Sequence, residues 1–197
     1  RWPGHVPADA ISNQIMSHLD WVPTLMAAVG DNDIAGSLKS GHNAGGRQYR
    51  VHLDGYNFID HLAAPASPGP RREFFYFSDD GDLTAARLGD WKLVFAEQRA
   101  RRFDVWRDPF VPLRIPKLFH LRRDPYERAD TDSNGYSNWW DLKIAPVGMQ
   151  GQVAVTRFIS SFAQFPPRQR PGSFSVDQIT AMLHQFTAAR QAAGQQQ

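Results

Sequence analysis

Three aspartates surround a single glycine in the middle of the chain, at Asp79, Asp80, Gly81 and Asp82. Clustered carboxylates are the ligands that hard cations such as calcium take. Counted from Asp79, however, the twelfth position of an EF-hand loop is Asp90 and not a glutamate, and residues with strand propensity lie between them. The turn preferences of Asp and Gly therefore favour a polar hairpin turn, with Gly81 at positive φ, over a calcium loop.

Three arginines, Arg99, Arg101 and Arg102, follow a predicted strand directly. Guanidinium groups bind tetrahedral oxyanions such as sulfate and phosphate through forked hydrogen bonds. A solvated loop explains the same residues equally well, so both interpretations stay open. These arginines do not make the chain strongly basic, because 22 Lys and Arg are set against 20 Asp and Glu and the formal net charge is only +2. A nucleic-acid-binding protein usually carries a larger basic excess, so that class is disfavoured.

No other set of residues points to a familiar reaction centre. The sequence contains no Gly-x-Ser-x-Gly elbow, Walker loop, His-Glu-x-x-His motif or dinucleotide fingerprint. None of the seven histidines pairs with another at metal-ligand spacing. His18 could face a pocket or satisfy a helix entry, and the second use is the commoner. Trp106, Trp139 and Trp140 could form a platform for a ring substrate, although core packing is the more frequent role of tryptophan.

Composition restricts the class of protein further. The 197 residues include no cysteine, which excludes disulfides and thiolate metal sites. No stretch approaches the ~18 apolar residues that cross a bilayer. The chain opens with Arg1 rather than Met, so we expect the true N-terminus to lie elsewhere.

The first third of the chain predicts helices separated by loops. Asp20 is a candidate N-cap for a helix whose apolar positions repeat at Val22, Leu25, Met26 and Val29. Gly30 would end this helix. Residues 31–50 are polar and glycine-rich, which predicts a loop. A short helical turn is expected over 57–62, and 63–70 resembles a linker.

The middle of the chain predicts an antiparallel sheet. The aromatic run 74–77 has high strand propensity, and strands over 83–88 and 91–97 follow after tight turns. In the last of these, Trp91, Leu93 and Phe95 alternate with Lys92 and Val94. A fourth strand is expected over 118–122. One face of this sheet is apolar and requires a covering layer.

Helices near the C-terminus could provide that layer. Between 153 and 165 one helical face would carry Val155, Phe158, Ile159 and Phe162, and Pro166 and Pro167 would stop the helix. A second helix is predicted from Ser175, which has capping-box spacing to Gln178. The predicted fold class is therefore α+β.

The order of these segments resembles the sulfatase family, specifically the C-terminal portion of bacterial arylsulfatases. The segments that carry the resemblance span nearly the whole chain, in the order 1–5, 17–25, 53–60, 74–83, 89–92, 118–127 and 165–174. The resemblance implies that residues 1–62 complete a large alkaline-phosphatase-like α/β domain. Residues 63–197 would form the closing subdomain, a four-stranded antiparallel sheet packed on a C-terminal helix.

The resemblance also implies an activity, the hydrolysis of small-molecule sulfate esters. Family members convert the Cys or Ser of a Cys/Ser-x-Pro-x-Arg motif to formylglycine and bind the sulfate with calcium. This chain has no such motif, because Ser67-Pro68-Gly69-Pro70-Arg71 has the wrong spacing. The catalytic residues and calcium ligands would therefore lie upstream, in an N-terminal remainder of the same protein, and the 197 residues alone would be inactive.

At most, this portion would furnish the rim of the substrate pocket. Hairpin geometry and oxyanion affinity point to the loops that leave the sheet, with Asp79, Asp80, Asp82, Arg101 and Arg102. Two alternatives remain open. One is a phosphate or phosphonate ester hydrolase of the same superfamily, and the other is a non-catalytic binding or scaffold module.

Overall fold

The computed structural model describes residues 2–168 and 172. The helices are α1 Trp21–Ala28, α2 Ile34–Ser40, α3 Ile59–Ala63, α4 Ala129–Asp132 and α5 Tyr136–Ser160. The strands are β1 His42–Ala44, β2 Arg47–Tyr49, β3 Glu73–Phe77, β4 Leu83–Leu88, β5 Trp91–Glu97 and β6 Val111–His120. Short 3-10 turns cover His18–Asp20, Arg102–Trp106 and Ser161–Ala163. The second predicted helix, from Ser175, lies outside the described residues.

The central feature is an antiparallel sheet with strand order β3-β4-β5-β6, which confirms the predicted α+β class and the four-stranded meander. Both tight turns depend on glycine, since Gly81 has φ +86° between β3 and β4 and Gly89 has φ +57° between β4 and β5. In register, Ala85 faces Val94 and Leu93 faces Leu118. Because one glycine turn precedes β4 and the other follows it, the two turns lie at opposite ends of this strand.

The fourth strand is longer than its sequence indicates. β6 begins at Val111, seven residues before the predicted start at Leu118, although it contains Pro112 and Pro116. Prolines are tolerated there because β6 is an edge strand. The amide of Leu118 donates to the Tyr136 hydroxyl at 3.0 Å, and the carbonyl of Pro116 accepts from Trp140 Nε1 at 3.1 Å.

Both faces of the sheet are packed, whereas the sequence predicted one apolar face. Leu93 and Leu118 form a cluster with Val147 of α5, as the alternation in β5 predicts. On the other face Val94 packs with Ala85 and Phe119 and is only 9% exposed. The sequence predicted only that Val94 alternates with Leu93, and the structure shows that it is buried as well, since β4 and β6 supply it with apolar neighbours.

The covering helix is α5, and it starts 17 residues earlier than predicted, at Tyr136 instead of Val153. Its buried stripe is Val147, Gly151 and Ala154, and Phe158 stacks on Phe75 with ring centroids 4.3 Å apart. The predicted burial of Ile159 was wrong, because this side chain is 46% exposed. Pro146, Gly148 and Gly151 break the helical pattern in the sequence, yet the helix continues through all three.

The segment 31–50 is not the predicted loop. It folds into α2 and a β1–β2 hairpin, whose turn residues Gly45 and Gly46 have φ +56° and +74°. Positive φ at both central positions suits the tight two-residue hairpin turn that Gly-Gly favours. Asp33 begins α2 by accepting from the amide of Gly36 at 3.2 Å.

Helix α1 forms as predicted, but with the opposite face buried. Pro23, Thr24 and Ala27 are its buried residues. Val22, Leu25 and Val29 of the predicted apolar stripe are 51%, 58% and 77% exposed. The inner face is held by hydrogen bonds, because Thr24 Oγ1 donates to the carbonyl of Asp20 and accepts from the amide of Phe58.

Candidate functional site

A cavity of about 750 Å³ lies where the N-terminal segment meets β3 and the end of α5. Its wall includes Tyr56, Arg71, Glu73, Phe75, Asp80 and Arg157. The lining therefore combines charged and aromatic side chains.

The charged side is built on a buried ion pair between Asp20 and Arg71. The Nε of Arg71 donates to Oδ2 of Asp20 at 2.9 Å, and its Nη2 donates to Oδ1 at 2.5 Å. Arg71 is 4% exposed and Asp20 is 0% exposed. Nη2 of Arg71 also donates to the carbonyl of Asp54, so the pair joins α1, the 52–56 segment and the start of the sheet.

Asp20 is held in its ionised form. Burial is the largest influence and raises the pKa of Asp20, but hydrogen bonds from Arg71 and from the amides of Tyr56 and Ser17 together outweigh it. The pKa of Asp20 is therefore lowered from its ordinary value. The predicted N-cap position is confirmed, but the side chain does not cap α1; it turns back to the Ser17 amide at 2.8 Å.

Glu73 links this pair to α5. Its Oε1 accepts from the Tyr56 hydroxyl at 3.1 Å and from Nη2 of Arg157 at 2.5 Å. The guanidinium of Arg71 lies 4.7 Å from the centroid of the Tyr56 ring. Burial and then the charge of Glu73 raise the pKa of Tyr56. Both carboxylates thus have arginine partners, so this wall stabilises the junction and presents no acid or base poised for proton transfer.

The aspartate turn lies at the mouth of this cavity, and its prediction as a hairpin turn is confirmed. The Ser78 hydroxyl accepts from the amides of Asp80 and Asp82 at 3.2 and 3.1 Å. Asp80 lines the cavity together with Gly81, whereas Asp79 and Asp82 are exposed. Across the described residues no three His, Asp or Glu side chains converge on a point that could hold a metal ion.

The two rim arginines are placed differently from Asp80. Arg101 and Arg102 are exposed, immediately before and at the start of the 3-10 turn that follows β5, and neither lines the cavity. Because β5 runs antiparallel to β4, its end lies at the same end of the sheet as the aspartate turn. Asp80 therefore lines the cavity, whereas Arg101 and Arg102 follow a strand that ends at the same end of the sheet and do not line it.

The tryptophans and histidine that the sequence suggested as pocket residues have different surroundings in the structure. Trp139 and Trp140 pack against the Leu93 cluster, which supports the packing interpretation, while Trp106 is 77% exposed. His18 is exposed and does not line the cavity. No sequence pattern pointed to His61, which is 4% exposed and hydrogen-bonded to the carbonyl of Ser67 and the hydroxyl of Ser12.

Comparison with known proteins shows which sequences are similar to this chain. Human arylsulfatase A is 28% identical over 137 residues, which cover 64% of this chain and 24% of that protein. Bovine arylsulfatase A is 30% identical over the same length, and human arylsulfatase G is 28% identical over 138 residues. No protein-family model matches the chain.

A solved structure has the same fold, the PsFucS1 sulfatase from Pseudoalteromonas sp. It superposes with a TM-score of 0.63 at 21% identity, over 84% of this chain and 29% of that one. The chain spans about a quarter of the length of the curated relatives it matches. The predicted resemblance to the sulfatase family is confirmed, and the matched arylsulfatases extend it beyond bacteria. No helix among the described residues has the length and apolarity to cross a membrane.

Proposed function

We propose that these 197 residues are the C-terminal part of a sulfatase that hydrolyses small-molecule sulfate esters. The observation that carries the proposal is the arylsulfatase similarity over 137 residues, together with the four-stranded sheet. In this proposal residues 1–62 complete the large alkaline-phosphatase-like domain, and residues 63–197 form the closing subdomain.

The exposed face of α1 supports the division into two domains. Val22, Leu25 and Val29 are more than half exposed, and Leu19 is 50% exposed beside them. Apolar side chains grouped on one helix face indicate a surface that another part of a protein covers. In the proposal the N-terminal remainder of the same protein packs here, and the Asp20–Arg71 pair fixes the closing subdomain to it.

The reaction itself is assigned to the upstream part. By family resemblance the nucleophile would be a formylglycine and the sulfate-binding metal would be calcium, both held by residues outside these 197. This portion would supply the rim, with Asp79, Asp80 and Asp82 on the β3–β4 turn and Arg101 and Arg102 after β5. Exposed guanidinium groups suit this role because they attract the sulfate oxyanion before it reaches the metal.

The first test compares two proteins on one substrate. The complete protein is expected to hydrolyse 4-nitrophenyl sulfate, and the 197-residue chain is expected to show no turnover above a mock preparation. Parallel assays with 4-nitrophenyl phosphate separate sulfatase from phosphatase activity. Turnover by the 197-residue chain, or a preference of the complete protein for the phosphate ester, would contradict the proposal.

The second test addresses the rim. In the complete protein, the double variant Arg101→Ala, Arg102→Ala is expected to lower kcat/KM by about three- to tenfold, chiefly through KM, because exposed charges contribute modestly. Arg47→Ala is the matched control, since Arg47 is an exposed arginine on β2, which belongs to neither loop. An unchanged kcat/KM in the double variant would remove these arginines from the rim.

A further inference from the structure

We propose that a second pocket, at the opposite end of the sheet from the aspartate turn, binds a small organic anion that carries a ring. We call it the tryptophan pocket and define it by Trp91, His120, Arg123, Trp139 and Lys143, which all line a cavity of about 710 Å³. This volume lies within the usual range of small-molecule sites.

The position of the tryptophan pocket follows from the strand order. Trp91 begins β5 directly after the turn at Gly89, and His120 ends β6 opposite it. The aspartate turn lies at the other end of β4. Trp139 and Lys143 come from the first eight residues of α5. The pocket is therefore separate from the proposed rim, and its walls come from the sheet, the 120–133 segment and α5.

Aromatic rings form one wall of the tryptophan pocket. The ring of Trp91 lies 5.7 Å from that of Trp139 and 4.7 Å from that of His120. Trp139 is further fixed by an edge contact with Tyr136, at 4.9 Å. Because the rings hold one another in place, the wall is preformed, and a planar or sugar ring could stack on it without ordering new side chains.

The charged residues of the lining sum to a net positive charge, with Arg123, Arg128 and Lys143 against Asp124 and Asp132. Nη2 of Arg128 pairs with Oδ2 of Asp132 at 2.7 Å. The carboxylate of Asp124 accepts the amides of Arg128 and Ala129 at 3.0 and 2.8 Å. Within residues 2–168 and 172 the side chains of Arg123 and Lys143 form no ion pair or hydrogen bond. Two cations are thus left available to an anionic ligand.

His120 contributes its ring to the tryptophan pocket but no accessible nitrogen at Nδ1. That atom is enclosed and has no hydrogen-bond partner among the described residues. Because it has no accessible surface, a ligand in the pocket does not contact it. The stacking rings and the two unpaired cations therefore favour a ring that bears a sulfonate, sulfate or carboxylate group.

The test uses isothermal titration calorimetry on the full 197-residue chain, with p-toluenesulfonate as the probe that combines ring and anion. Inorganic sulfate supplies the anion alone and p-cresol the ring alone. Glucose 6-sulfate replaces the aryl ring with a sugar. We expect p-toluenesulfonate or glucose 6-sulfate to bind at least about tenfold more tightly than sulfate or p-cresol, since ring and anion are recognised together.

Single substitutions locate the binding. Arg123→Gln and Lys143→Gln are each expected to weaken the tighter probe by about three- to tenfold, given their exposure. Arg47→Gln and Lys39→Gln remove equivalent exposed charges elsewhere and are expected to leave the affinity unchanged. Absence of saturable binding, equal binding of inorganic sulfate, or equal losses in the two controls would each overturn the proposal. None of these measurements depends on sulfatase activity.

Discussion

Replacing Asp20 with alanine is expected to lower the free energy of unfolding by about 3–5 kcal/mol at neutral pH, because one member of a buried ion pair is lost. The substitution leaves the Arg71 guanidinium, which is 4% exposed, without its carboxylate. It also removes the acceptor of the Tyr56 and Ser17 amides. Chemical denaturation of wild type and variant measures the difference.

The effect should depend on pH in a defined direction. The pKa of Asp20 in the folded protein is lowered, so its contribution is present above about pH 4, the ordinary value in an unfolded chain. It is lost as pH falls through the lower folded pKa, and the gap between wild type and Asp20→Ala narrows there. Asp60→Ala, at an exposed position on α3, is the control and should change stability by less than about 0.5 kcal/mol. A gap that is constant down to pH 2 would contradict the assigned ionisation.

The substitution Gly151→Leu is expected to lower the free energy of unfolding by about 1–3 kcal/mol, the usual cost of overfilling a packed core. A Cβ atom built on Gly151 would collide with Cδ1 of Leu93, which is itself 2% exposed and cannot move freely. Glycine at this position allows α5 to lie directly on β5. The same denaturation assay measures the loss.

Gly148, one turn earlier in α5, provides the matched control. A Cβ atom there meets nothing within 4 Å. Gly148→Leu should therefore stabilise the protein slightly, by up to about 1 kcal/mol, through the better helix propensity of leucine. If both substitutions shift stability in the same direction and by the same amount, close packing at Gly151 is not the reason for its glycine.

The sheet was predictable from sequence because its signals are local. Alternation in β5 and glycines at the two tight turns gave the bounds of β4 and β5 as observed, at Leu83–Leu88 and Trp91–Glu97. Only the end of β6 was predicted, because Pro112 and Pro116 argue against a strand by propensity although an edge strand accommodates them. The first part of α5 was missed for a related reason, since Pro146 is a strong helix breaker by propensity but is accommodated here.

The charged wall of the cavity could not be predicted from sequence. Asp20 and Arg71 are 51 positions apart, and each has an ordinary local explanation, one as a helix cap and the other as a linker residue. Arg157 and Glu73 are separated by 84 positions. Only the tertiary fold brings these four residues together. The aspartate turn could be predicted because the turn preferences of Asp and Gly act between adjacent residues.

The outer margin of β6 has a consequence for association with other chains. A sheet margin normally offers amides and carbonyls on which a foreign strand could build an intermolecular ladder. Here Pro112 and Pro116 have no amide hydrogen, the Leu118 amide is occupied by Tyr136, and the Pro116 carbonyl is occupied by Trp140. Pairing of a foreign strand with β6 is therefore hindered at these positions.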